Sequence, residues 1–239
     1  MKVSAIIPAA GMGIRMGSSI PKQFLLLDGK PILQHTLSVL DKCSIVNEII
    51  LVVSEKEIEN ARQQIQDSYP KVTKVIVGGK ERQDSVYNGL KNLDSKADIV
   101  LVHDGVRPFV SEELISESVE AARDFGAAIT AIPVSDTIKK VNKEGVVEST
   151  IDRSGLWRVQ TPQTFQVSLL KEAFAKAQAD NFYGTDEGSL IEYLGKDVKV
   201  VSGSEINIKI TRSEDLILGE KIAELVKTHQ PETRAKSLS

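Results

Sequence analysis

The chain has 239 residues, 41% hydrophobic and 26% charged, with a formal net charge of −3, enough for one α/β domain with an appendage but without a basic footprint for nucleic acid. No apolar run reaches the length of a membrane span and no signal-peptide pattern opens the chain, so a cytoplasmic protein is expected. Cys43 is the only cysteine, which excludes an internal disulfide and a CxxC metal site.

An apolar run, Val3–Ile7, predicts a buried strand that opens into Pro8-Ala9-Ala10-Gly11-Met12-Gly13-Ile14-Arg15-Met16-Gly17, followed by Pro21-Lys22-Gln23. A glycine-rich turn after a strand offers bare backbone N–H groups to phosphates. Arg15 and Lys22 lie within reach of anything such a loop holds. The same glycines would also serve a plain surface turn. The loop lacks the Gly-Lys-Ser/Thr end of a P-loop. It also departs from the dinucleotide fingerprint, because Gly17 comes one residue late and Val52-Val53-Ser54 supplies no acidic strand end. It reads as a nucleotide site of another kind.

Further strands are predicted over Ile49–Val53, Val72–Val77, Ile99–Val102 and Ala127–Ile132, and helices over Ile32–Leu40 and Leu114–Ala122. This alternation predicts a mostly parallel, three-layer α/β fold. Ligands collect at the carboxyl ends of strands in such sheets. The glycine loop, Gly78-Gly79 and His103-Asp104 all fall at such ends. One segment, about residues 137–152, breaks the pattern: Thr137–Val141 and Val146–Thr150 flank Asn142-Lys143-Glu144-Gly145 as a hairpin arm. An isolated hairpin has little core, so the arm needs a partner surface, either a second copy of the chain or its own domain. Asn207–Ile210 predicts a strand, and Thr211-Arg212-Ser213-Glu214 has capping-box spacing for a helix ending near Val226. Residues 1–228 are read as a single domain and residues 229–239 as a flexible tail.

Several residues at these strand ends could carry chemistry. Asp104 suits Mg²⁺ beside phosphate oxygens, or simply a turn before Gly105. His103 is either a base or a structural histidine. Gly78-Gly79-Lys80-Glu81-Arg82-Gln83-Asp84-Ser85 could close over a base or ribose. Arg153, just after the arm, is placed for a dimer partner or for a surface ion pair. Lys209, between Ile208 and Ile210, points either into a site or to water.

The motifs PAAGxGxRM, PKQF, GGxxRxDSV, VHDGxRP, DTIK, TIDRSGLWRVQTPQTF, TDE and NIKITRxEDL occur in this order. The chain so resembles the 2-C-methyl-D-erythritol 4-phosphate cytidylyltransferase family from Val3 to about Val226. The resemblance implies a Rossmann-like nucleotidyltransferase fold with a protruding β-hairpin arm. It implies transfer of CMP from CTP to methylerythritol phosphate, with pyrophosphate released, in isoprenoid precursor biosynthesis. Pro8, Ala9, Ala10, Gly11 and Gly13 would wrap CTP, with Gly79, Ser85, Asp104 and Gly105 completing its site. Arg15 and Lys22 would stabilise the pentacoordinate α-phosphate and the departing pyrophosphate. Arg153 and Lys209 would position the acceptor phosphate, and Asp104, Arg107, Thr137 and Thr161 would line the acceptor site. Mg²⁺ at Asp104 and a homodimer built through the arm are implied as well, with Arg107, Thr137 and Arg153 coming from the neighbouring subunit.

The alternative acceptor is ribitol 5-phosphate or another polyol phosphate, but the first loop and the segment before QTPQ side with the methylerythritol enzyme. Lys80 stands where Asp is expected, and Gly105-Val106 where Ala-Ala is frequent. The chemistry agrees with the residue set. A phosphate monoester has a second pKa of about 6 and is largely dianionic at neutral pH, so its attack needs cations rather than a general base. A dinucleotide-dependent oxidoreductase lacks its fingerprint here. A non-catalytic nucleotide-binding regulator would have no reason to keep Arg15, Lys22, Arg153 and Lys209 together.

Overall fold

The computed structural model describes residues 1–11, 21–66 and 68–229, so Gly13 and Arg15 of the first loop and the tail from residue 230 lie outside it. The strands of four or more residues in chain order are β1 (Val3–Ala9), β2 (Glu48–Val53), β3 (Val72–Val77), β4 (Ile99–Val102), β5 (Ala127–Pro133), β6 (Ile138–Val141), β7 (Val147–Ile151), β8 (Trp157–Gln166) and β9 (Lys199–Ser202). The main helices are α1 (Ile32–Lys42), α2 (Arg82–Lys91), α3 (Glu112–Phe125), α4 (Val167–Ala179), α5 (Glu187–Tyr193) and α6 (Ser213–His229).

A seven-stranded sheet in the order β9-β5-β8-β4-β1-β2-β3 forms the centre. The β1–β2, β1–β4 and β2–β3 pairs are parallel, as the alternation predicts, and so is the β9–β5 pair, whose β9 no sequence expectation covered. Strand β8 runs antiparallel to both β4 and β5. No sequence expectation covered it, because Trp157-Arg158-Val159-Gln160-Thr161-Pro162 has neither strict alternation nor a continuous apolar run. Its register shifts between Val159 and Gln163, a bulge-like irregularity of the kind that re-aims side chains near sites.

The two-residue period of the strands sorts the core into two layers. Val3, Ala5 and Ile7 of β1 join Ile49, Leu51 and Val53 of β2 and Leu101 of β4 under α1 and α3. Ile6, Ile50, Val52, Val100 and Val102 face the other way, against α2, α4 and α5. Both faces are covered, which is why these strands read as continuous apolar runs. Helix α3 starts where the Ser111 side chain accepts from the Leu114 N–H, and it stops at Gly126, whose φ of +91° suits glycine.

The arm is a separate two-stranded antiparallel sheet of β6 and β7, with Val141, Val146 and Val147 exposed. Two expectations near the C-terminus need correction. Asn207–Ile210 is not a strand; it runs as an unpaired segment whose Ile210 N–H donates to the Val106 carbonyl at 2.9 Å. Helix α6 starts at Ser213, and the residue that closes back is Asp215 rather than Glu214. Asp215 accepts from Thr211 N, Thr211 Oγ1 and Arg212 N at 2.7 to 2.9 Å, so the helix begins with its carboxylate near the positive dipole end. The helix also continues past Val226 to His229.

Gly89 sets the distance between α2 and β1. A Cβ there would sit 2.5 Å from Ile6 Cγ2, a core methyl with no room to retreat. Alanine gains roughly 1 kcal/mol of helix propensity, but overpacking a filled core costs about 1–3 kcal/mol. Gly89→Ala is therefore expected to lower unfolding free energy in urea denaturation. A more stable variant would show that the helix propensity term prevails.

Candidate active site

Three strand ends meet at one cavity of about 180 Å³. Beyond β1 it is lined by Pro8, Ala9, Ala10 and Gly11, and beyond β3 by Gly79, Lys80, Glu81, Arg82 and Ser85. Asp104 and Val106 follow β4, and Lys22, Gln23 and Lys209 complete the described lining. The PKQF turn is tied to β1 because the buried Gln23 side chain donates from Nε2 to the Ala9 carbonyl at 2.7 Å, which brings Lys22 to the cavity wall.

The glycines after β3 are required by close approach. A Cβ at Gly78 would lie 2.7 Å from Ala10 Cβ, so glycine lets the two loops touch. A Cβ at Gly79 would lie 2.3 Å from Asp84 Cβ. Gly79 N–H donates to Ser85 Oγ at 3.1 Å, and Ser85 donates to the Glu81 carbonyl at 3.1 Å, so this loop is held in shape without a ligand.

Asp104 is the electrostatic centre. It is 6% exposed, and its Oδ1 accepts from Arg82 Nε at 3.2 Å while Oδ2 meets Lys209 Nζ at 2.8 Å and Arg107 Nε at 3.7 Å. Burial alone would raise its carboxyl pKa, but Arg82, Lys209 and Arg107 together hold it well below the usual range. Asp104 is a carboxylate whose charge orders three cations. Arg107 is itself buried, with Nη1 donating to the Asn207 carbonyl at 2.7 Å. Asn207 donates in turn to Gln160 Oε1 and to the Thr161 carbonyl. These bonds fasten the 207–210 segment beside Asp104 and direct Lys209 inward, so the choice between site and water goes to the site.

His103 is not a base. It is fully buried, and burial lowers its pKa from 6.5 to about 4. The Arg107 carbonyl can only accept, so Nε2 carries the proton and donates to it at 3.1 Å, while Nδ1 accepts from Thr161 Oγ1 at 3.0 Å. That leaves Thr161 Oγ1 to accept from Asp104 N–H at 3.1 Å. His103 and Thr161 therefore fix the backbone of Asp104 from beneath, with Thr161 on the irregular stretch of β8.

Among the predicted site residues, Pro8, Ala9, Ala10, Gly11, Lys22, Gly79, Ser85, Asp104 and Lys209 line one cavity, with Arg107, Thr161 and Gly105 buried behind it. Gly105 is buried next to Asp104, where a Cβ would meet the Leu33 Cδ1 methyl at 2.9 Å. Thr137 and Arg153 do not line the cavity of this chain; both are exposed at the base of the arm, where Arg153 donates to the Ser135 carbonyl. Mg²⁺ does not fit at Asp104 as a resident ion, because both carboxylate oxygens already face cations. Among the described residues no cluster of three His, Cys, Asp or Glu side chains gathers to hold a metal. Nothing in the sequence pairs Arg82 with Glu187, which are 105 residues apart. Both stand inside motifs, GGxxRxDSV and TDE, but only the fold makes them neighbours.

Glycine loops and converging cations at the carboxyl edge of a mostly parallel sheet are the fold and site of a nucleotidyltransferase. The family described as IspD, 2-C-methyl-D-erythritol 4-phosphate cytidylyltransferase, matches residues 3–225. The chain belongs to that family. A relative of that name from Syntrophus aciditrophicus is 49% identical over 221 residues, spanning 92% of this chain and 94% of its own. Another, from Alkaliphilus metalliredigens, is 50% identical over 223 residues and 92% of each chain. The crystal structure of 4-diphosphocytidyl-2C-methyl-D-erythritol synthase from Anaerococcus prevotii matches with a TM-score of 0.82 at 36% identity, covering 93% of this chain and 98% of that one.

The His103 assignment predicts a specific pH response. Its folded pKa lies below the unfolded one, so the unfolded chain takes up the proton first. His103 has no effect on stability above pH 6.5, and it destabilises the fold progressively as pH falls from 6.5 to 4, by about 3 kcal/mol in full. In an NMR titration the His103 ring resonance should hold its neutral position from pH 8 to 5. A midpoint near 6.5 would contradict the assignment.

Proposed function

We propose that this protein transfers CMP from CTP to 2-C-methyl-D-erythritol 4-phosphate, releasing pyrophosphate, as a step in isoprenoid precursor synthesis. The observation that carries the reading is the convergence of Lys22, Arg82 and Lys209 on one cavity beside Asp104, in a chain whose family match runs from residue 3 to 225. Two anions must approach each other in this reaction, and cations at the wall reduce that repulsion. The backbone of Pro8–Gly11, with Gly79 and Ser85, holds the nucleotide. Lys22 faces the phosphates and stabilises the charge that builds on the α-phosphoryl group and on departing pyrophosphate, a role that the resemblance also gives to Arg15, as it gives nucleotide binding to Gly13. Lys209 holds the acceptor phosphate. The acceptor's dianion attacks directly, and the buried, neutral His103 fits a reaction that needs no base.

Asp104 keeps Lys209 and Arg82 in place; a divalent cation would be held by the triphosphate oxygens and would supply charge neutralisation there. No helix among the described residues is long and apolar enough to cross a membrane, and the small-molecule substrates fit a cytoplasmic reaction. Residues 1–228 act as one catalytic domain. Two copies pair through the arm, which covers Val141, Val146 and Val147 and delivers Thr137 and Arg153 to the neighbour's acceptor phosphate. Arg107 belongs to its own chain's site, because it is buried against that chain's Asp104.

Pyrophosphate release should be observed with CTP and methylerythritol phosphate, at a kcat/KM at least a hundredfold above that with ribitol 5-phosphate. The reverse preference would reassign the acceptor. The shared site is tested by mixing inactive subunits. Lys22→Ala should lower kcat about a hundredfold or more, and Arg153→Ala should raise KM for the acceptor far more than for CTP. If Arg153 acts across the dimer, a heterodimer of the two variants has one site with both defects and one with neither, so mixing restores activity. No recovery after demonstrated subunit exchange would mean that each chain builds its own site alone.

A further inference from the structure

Glu187 has no part in the transfer as described above, yet with Arg82, one of the cations at the cavity wall, it makes the most heavily bonded ion pair at the site. Arg82 Nη1 donates to both Glu187 carboxylate oxygens, at 2.7 and 3.0 Å, while Nε of the same guanidinium donates to Asp104 Oδ1 at 3.2 Å. Glu187 is 1% exposed, and among the described residues its carboxylate has no other hydrogen-bond partner. A buried carboxylate is costly unless it is paired, so this one is kept for its partner.

The anchor is rigid. Asp186 caps α5 by accepting from Ser189 N–H at 2.9 Å. Gln163 on β8 donates to Asp186 Oδ2 at 2.7 Å and accepts from Gly188 N–H at 3.0 Å. Glu187 is thus fixed to the central sheet. Arg82, by contrast, is 31% exposed and lines the cavity that receives a polyphosphate. An untethered guanidinium there would be drawn to the triphosphate, since bidentate arginine–phosphate pairing is strong. Asp104 would then lose the contact that orients Oδ1, and Lys209 would lose its fixed counter-charge on Oδ2.

We propose that Glu187 is a positioning residue for the transfer: it anchors Arg82, and through Arg82 it sets the Asp104 carboxylate and Lys209 at the acceptor side of the cavity. This rests on the acceptor-side reading of Lys209 given above. An effect routed in this way must disappear when Asp104 can no longer carry it.

The test is a double-mutant cycle in steady-state kinetics, with thermal melts to show that each variant is folded. Glu187→Gln should lower kcat at least tenfold and leave KM for CTP within threefold of wild type. Added to Asp104→Asn, it should cost no more than a further twofold. Wild-type turnover in Glu187→Gln, independent losses that multiply in the double variant, or a defect confined to CTP binding would each overturn the proposal. If Glu187→Gln does not fold, Arg82→Lys decides, because a single ammonium nitrogen keeps the charge but not the fork in which Nε meets Asp104 while Nη1 meets Glu187. It should lose at least tenfold in kcat, and full activity would refute the anchor. If ribitol 5-phosphate proves to be the acceptor, the same ratios are read with it, so the acceptor assignment can fail while the anchor stands.

Discussion

The site depends on a charge that would be unstable by itself. Asp104 is almost fully buried at the end of the Ile99–Val102 strand, and removing a carboxylate from water costs several kcal/mol unless cations and hydrogen bonds compensate. Compensation comes from three segments: Arg82 at the start of α2, Arg107 in the following turn and Lys209 in the unpaired stretch before α6. Arg82 and Arg107 are in turn held elsewhere, by Glu187 and by the Asn207 carbonyl, while Lys209 is held by Asp104 itself. The network is mutual, with the carboxylate gathering the cations and the cations keeping the carboxylate ionised.

Counted as charges, Asp104 and Glu187 stand against Arg82, Arg107 and Lys209, leaving one positive charge before Lys22 is included. A cavity so balanced keeps a small positive excess, which favours anions. This arrangement suits a reaction in which the protein stabilises charge and position while the substrate's own phosphate is the nucleophile. It also accounts for His103, whose ring is placed behind Asp104 as a neutral brace for Thr161 and the Arg107 carbonyl.

Close packing between loops is the second constraint. Gly78 lets the turn after β3 touch Ala10, and Gly89 lets α2 lie against Ile6. Both contacts set the spacing between β1 with the segment that follows it and α2, and therefore between the Pro8–Gly11 backbone and Arg82 at the cavity wall. A methyl group at either place separates the two halves of the cavity. Stability of the fold and geometry of the site are here the same requirement.

Local chemistry determined much of what could be read from the sequence alone. Strand periodicity, the glycine loop, the hairpin turn at residues 142–145 and the strand-end location of Asp104 all depend on residues within a few positions of one another. The resemblance to a nucleotidyltransferase family added roles for these positions. Tertiary structure decided the rest. Whether Lys209 faces water or Asp104 depends on Asn207 bonding to β8, some 46 residues away. The antiparallel entry of β8 between β4 and β5, and the Arg82–Glu187 pair across 105 residues, join partners that no local pattern marks. A backbone period is written in consecutive residues, whereas a buried charge acquires its partners only when distant segments are packed around it.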